Sequence, residues 1–132
     1  MKFNTPKFLL LTIVMISTQL FAQEIGQNER IISPEISANN EVTFRIKAPG
    51  ANSVKLSGNW MPSTPQGQRQ LVDLVKGAKG IWSVKVPALA PELYGYNFVV
   101  DSVTTLDPAN LKVARDGTFK TENMLYLSLI HI

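Results

Sequence analysis

The stretch YGYNFVVDSVTTLDP, residues 94–108, decides how the chain is read. Tyr94, Tyr96, Phe98 and Val100 occupy alternate positions. A period of two places one set of side chains on a core and the other toward water, the pattern of a half-buried strand. Asp101-Ser102 interrupts the run, Val103-Thr104-Thr105-Leu106 resumes it, and Asp107-Pro108 stops it. The stretch therefore predicts a hairpin of strand, tight turn and strand. It leaves open whether the hairpin binds something, completes an active site or walls a core.

The same alternation recurs on the N-terminal side. Val42, Phe44 and Ile46 alternate with Thr43, Arg45 and Lys47 before Pro49-Gly50. Val54 and Leu56 do so with Lys55 and Ser57 before Gly58-Asn59, and Trp82, Val84 and Val86 with Ser83 and Lys85 before Pro87. Residues 69–75 form a weaker candidate. Strand signals every 8–12 residues or so, with turn residues between, predict a small all-β antiparallel sandwich of about seven strands. Its expected core is Val42, Phe44, Ile46, Val54, Leu56, Trp82, Val84, Tyr94, Tyr96, Phe98 and Val100. No long amphipathic helix is expected, because Gly77 and Gly80 cut short the only candidate turn, at Leu71, Leu74 and Val75.

The chain has 132 residues and no cysteine, enough for one domain with neither disulfides nor a thiolate metal site. Its start reads as a secretory signal peptide. Lys2 and Lys7 precede the apolar run from Phe8 to Ile16, and Leu20-Phe21-Ala22 ends on a small residue before Gln23. Cleavage after Ala22 is expected, giving a secreted or periplasmic protein with no membrane segment in its mature form. Thirteen Lys and Arg against ten Asp and Glu give +3. Losing Lys2 and Lys7 leaves eleven against ten, too little positive charge for a nucleic-acid partner. The expected organisation is signal peptide 1–22, flexible lead-in 23–30, β-sandwich 31–113 and linker or tail 114–132. A monomer is expected.

Catalytic machinery is hard to assemble from this inventory. The single histidine is His131, there is no Gly-x-Ser-x-Gly elbow, and Asp101, Asp107 and Asp116 each sit beside turn residues. Metal-ligand spacing and phosphate-cradling Gly-rich loops are absent, so no metal or cofactor is expected. The remaining candidate chemistry is saccharide binding, which needs an exposed ring and polar neighbours. Trp60 follows Gly58-Asn59 in a stretch rich in Gly, Pro and Gln, with Asn59, Gln66 and Gln68 as possible polar partners. The alternative is that Trp60 plugs the end of the core.

A family resemblance enters here. Val54-x-Leu56-Ser57-Gly58-x-Trp60, Gly80-x-Trp82-x-Val84-x-Val86-Pro87, Tyr94-x-Tyr96-x-Phe98-x-Val100-Asp101 and Asp107-Pro108 resemble carbohydrate-binding module family 48. These are early-set, immunoglobulin-like sandwiches of the glycogen-binding-domain type. Ser33-Pro34-Glu35-Ile36, Val42-Thr43-Phe44-Arg45-x-Lys47-Ala48-Pro49, Leu89-x-Pro91-x-x-Tyr94 and Leu106-Asp107-Pro108-Ala109-Asn110 look like the N-terminal module of secreted carbohydrate esterase family 1 proteins, with feruloyl and acetyl-xylan esterase relatives. The resemblance implies a non-catalytic accessory module that binds a xylan-type polysaccharide. Its partner would be a C-terminal serine esterase domain in the full-length protein. The alternative is a purely structural domain packing on that catalytic domain without sugar affinity. The family's glucan contacts, two Trp and a Lys, fall on Ser63, Thr104 and Asn97, so they are missing; Trp60 takes the place of a buried Phe, and Ser102 that of a turn Gly. Residues 121–126 look like the junction to a following domain. Residues 127–132 resemble translated sequencing-adapter read-through, with a genuine strand as the alternative.

Overall fold

The structure is a computed structural model that describes residues 29–115, 117 and 120–129. The chain divides into two units, Met1–Arg30 and Ile31–Ile132. Of the first, only Glu29 and Arg30 are described, so the expected signal peptide lies outside the described residues, as do His131 and Asp116.

The second unit is a β-sandwich without an α-helix among the described residues, as the alternation predicts. Ten strands are described: β1 (Glu35–Ile36), β2 (Val42–Lys47), β3 (Val54–Gly58), β4 (Val72–Asp73), β5 (Val75–Lys76), β6 (Ile81–Val86), β7 (Leu93–Val100), β8 (Val103–Thr105), β9 (Val113–Arg115) and β10 (Thr121–Tyr126). One sheet runs β1-β2-β6-β5, the other β4-β3-β7-β10-β9, with β8 also paired to β7. All pairings are antiparallel.

The opening stretch forms the predicted hairpin. Val100 pairs with Val103 across Asp101 and Ser102, whose φ values of 44° and 70° are both positive, as a type I′ two-residue loop requires. Asp101 Oδ1 accepts the N–H groups of Asn52 and Ser53, both at 2.9 Å, tying this turn to the chain entering β3. Strand β7 then serves three partners. β3 lies along one edge from Gly58↔Tyr96 to Val54↔Val100. On the other edge β8 covers Phe98 to Val100 and β10 covers Leu93 to Tyr96.

The weak candidate at residues 69–75 is a strand that changes sheets. β4 pairs with β3, β5 pairs with β6, and buried Leu74 between them anchors the crossing through its N–H to Val54 O at 2.9 Å. The expected core is in place, with Val84 and Val100 only partly buried. Met61, Leu74, Val86, Leu125 and Leu127 add to it. At about 1.5–3 kcal/mol for each large apolar side chain fully buried, such a core drives folding unaided.

Two expectations are corrected. The strand count exceeds seven because β1, β4 and β5 are two-residue pairings too short to announce themselves. The span from 114 onward, expected as linker, carries β10, which lies between β7 and β9 in its sheet. Leu127, at the start of the suspected read-through, is buried and donates its N–H to Glu92 O at 3.0 Å; residues 130–132 lie outside the described residues.

Candidate functional site

Parity along β7 creates the site. With Tyr94, Tyr96 and Phe98 turned inward, Asn97 and Val99 belong to the outer face of their sheet, beside Ser57 of β3 and Glu122 of β10. Gly95 leaves room on that face: a Cβ there would stand 2.4 Å from Glu122 Oε2, so the missing side chain lets the carboxylate lie down on the strand.

Residues 59–71 fold back over the same face as an irregular hairpin. Gln70 N–H donates to Pro62 O at 3.0 Å, Thr64 N–H to Gln68 O at 2.6 Å and Gly67 N–H to Thr64 O at 2.8 Å. Gly67 takes φ 78°, a conformation glycine adopts without strain. The hairpin is pinned to β10 by Arg69, whose Nη1 donates to Glu122 Oε1 at 2.6 Å. Both side chains are mostly buried, 25% and 18% exposed, so the pair is better sheltered from solvent than a surface bridge.

Between this hairpin, β8 and the sheet lies an open groove of about 450 Å³, lined by Ser57, Ser63, Gln68, Arg69, Asn97, Thr104, Lys120 and Glu122, together with Gly67, Leu71 and Val99. Asn97 is buried and donates from Nδ2 to Thr121 O at 3.0 Å. Arg69 and Glu122 compensate each other, which leaves Lys120 as the charge in excess among the described lining residues. The groove is polar and carries no aromatic ring. Ser63, Asn97 and Thr104, far apart in sequence, meet in it.

Of the four residues singled out for saccharide contact, only Gln68 lines this groove. Asn59 is exposed and spends its N–H on Gly95 O at 3.0 Å, and Gln66 is exposed outside the groove lining. Trp60 does not offer a ring face to it. Its indole is stacked on Phe44 of β2 at 5.8 Å and 13°, and meets Tyr94 edge-on at 5.6 Å. A Cβ on Gly58 of β3 would fall 2.3–2.6 Å from the six-membered ring. Since β2 and β3 belong to opposite sheets, the ring is wedged between them and the plug alternative describes it. Its remaining exposure faces a smaller apolar groove of about 300 Å³, lined by Met61, Pro62, Val72, Val86, Pro87 and Leu89 among others. Sequence reasoning missed Arg69, Lys120 and Glu122. The alternation of β7 identifies the outer face, but Glu122 sits in a segment that reads as linker. Among the described residues no group of three or more His, Asp or Glu side chains is placed to hold a metal ion.

This architecture, two packed antiparallel sheets, is that of an immunoglobulin-like β-sandwich. Residues 32–113 match carbohydrate-binding module 48 (isoamylase N-terminal domain), and the chain belongs to that family. Among solved structures it is similar to a pullulanase from Bacillus acidopullulyticus (21% identity, TM-score 0.52), covering 76% of this chain and 12% of that one. It is also similar to a putative alpha amylase from Salmonella typhimurium (23%, TM-score 0.52, covering 75% and 15%). A third is a pullulanase from Anoxybacillus sp. LM18-11 complexed with maltotetraose (19%, TM-score 0.53, covering 76% and 14%). At these identities the likeness is one of fold, and the chain spans no more than about a seventh of those proteins' length. No curated protein matches the chain. The family expectation is met; the esterase association finds no support among these neighbours, which are glycoside hydrolases by name.

Proposed function

We propose that this module is the non-catalytic, carbohydrate-binding accessory of a larger secreted polysaccharide-degrading enzyme, and that it grips its ligand by polar groups instead of aromatic stacking. The observation that carries the reading is the meeting of Ser63, Asn97 and Thr104 in one ring-free groove while Trp60 is wedged between the sheets. A glucan held as the family resemblance implies would need two indoles and a lysine at those three positions. Rings of that kind supply much of the energy of a binding site. Their replacement argues against starch or glycogen, and the resemblance to the N-terminal module of secreted carbohydrate esterases points to a xylan-type plant cell-wall polysaccharide as the ligand. The runs Ser33-Pro34-Glu35-Ile36 and Leu106-Asp107-Pro108-Ala109-Asn110 support a carbohydrate esterase as the rest of the polypeptide. The pullulanase neighbours favour a glycoside hydrolase parent instead.

Affinity electrophoresis of the protein in gels containing xylan or starch tests the proposal. Retardation by xylan and free migration in starch is expected; strong retardation by starch sinks the ligand assignment. A second reading, a domain that only packs on its catalytic neighbour, is favoured by one feature. Leu93 and Tyr126 pair across β7 and β10, and are 53% and 62% exposed. That reading predicts no retardation by either polysaccharide.

A further inference from the structure

We infer that the groove selects a saccharide bearing a carboxylate, a uronate-containing oligosaccharide, over a neutral one, through Lys120 and Arg69. The inference rests on the carbohydrate-binding reading above and narrows its ligand class. It starts from what the groove lacks. Without a ring, a neutral sugar offers hydroxyl groups alone, and each hydrogen bond it makes in an open groove replaces one already made to water, with little net gain. Charge-assisted hydrogen bonds are roughly twice as strong as neutral ones, so the side chains of this groove discriminate best for an ion.

The sign of that ion follows from the neighbours. Glu122 is drawn flat onto Gly95 and engages Nη1 of Arg69. The other N–H groups of that guanidinium make no hydrogen bond among the described residues, and their planar fork suits a carboxylate. Lys120 has no carboxylate partner among the described residues, and it lines the same groove. Lys55, on the outer face of β3, adds nothing to the excess because it is paired with Asp73 at 3.0 Å. Among the described residues, two cations therefore line the groove beside one engaged carboxylate, with Ser63, Gln68 and Thr104 in position for sugar hydroxyls.

Calorimetric titration with a glucuronic-acid-branched xylo-oligosaccharide and with its unbranched counterpart is the test. The acidic probe should bind about tenfold more tightly, and the preference should vanish in Lys120→Gln, an exposed position whose change leaves the fold intact. High salt should erase it too. Equal binding of the two probes, or a preference that survives Lys120→Gln, overturns the inference while leaving the accessory reading in place. Free glucuronate binding as tightly as the oligosaccharide also overturns it, since that is ion attraction without a saccharide site. Binding of neither probe sinks both the inference and the reading beneath it.

Discussion

Asp107 brings a carboxylate into a mostly apolar interior, with 2% of its surface exposed. Oδ2 accepts hydrogen bonds from Ser33 Oγ at 2.6 Å and from the Tyr96 hydroxyl at 2.8 Å, and Oδ1 accepts the Ala109 N–H at 2.9 Å. Asn123 Oδ1 takes the Asp107 N–H at 2.7 Å, while Asn110 Nδ2 donates to the Tyr96 oxygen at 3.0 Å. No buried side-chain polar atom among the described residues is left unpartnered, so the network stabilises without an orphan. Tyr96→Phe removes one donor from the buried carboxylate and is expected to cost about 1–3 kcal/mol in denaturant unfolding. Burial pushes the Tyr96 phenol well above its ordinary value, helped by Asp107 and opposed by Asn110. A group raised in the folded state contributes its full stability below the unfolded value, near pH 10, and loses it as pH climbs further. Stability should therefore fall on the alkaline side of about pH 10, and Tyr96→Phe should flatten most of that fall. Tyr94, raised by burial and then by Glu92, contributes in the same direction. Trp60→Ala should cost about 3 kcal/mol, low in the range for buried aromatics because the ring is partly exposed. Gly58→Ala should cost about 1–3 kcal/mol by driving a methyl into that ring. Unchanged melting in both variants would refute the wedge. The sequence announced Asp107 only as a turn residue, because its partners lie 11, 16 and 74 positions away.

Among elements, legibility tracks how cleanly apolar residues alternate. β2 and β3 bury alternate residues, and in β6 and β7 the large apolar side chains still recur at alternate positions, so their periodicity shows in the amino-acid order itself. β10 hides for a physical reason. From Glu122 to Tyr126 its inward residues are Asn123 and Leu125 and its outward ones Glu122, Met124 and Tyr126, so polarity and direction disagree at three of these five positions. Asn123 turns inward because the Asp107 turn needs its amide, a demand set by tertiary structure. The groove hairpin was legible only as a polar loop, since its attachment through Arg69 and Glu122 spans 53 residues. A double-mutant cycle with Arg69→Ala and Glu122→Ala should return a coupling of about 1 kcal/mol, reduced in high salt. Zero coupling at low salt would mean that the backbone bonds alone hold the hairpin down.

For the whole molecule, the family match ends at residue 113, but the sandwich does not. A chain stopped after Val113 lacks β10, whose Leu125 and the following Leu127 are each about 1% exposed. It is expected to show no cooperative thermal transition, whereas a chain ending after Leu129 should melt as one unit; a cooperative melt of the shorter chain would show β10 to be dispensable. The position of β10 also sets an order in time. Whether at the ribosome or at an export pore, β7 emerges well before β10, yet the first half of β7 pairs with β10 on one edge. Until that strand emerges, the nascent sandwich presents open backbone donors and acceptors beside an uncovered core, the kind of edge to which chaperones and other chains attach. Emergence of Leu127 is therefore the event that commits the domain, and a pause between Val113 and Thr121 is where the newborn chain is most exposed to misassembly.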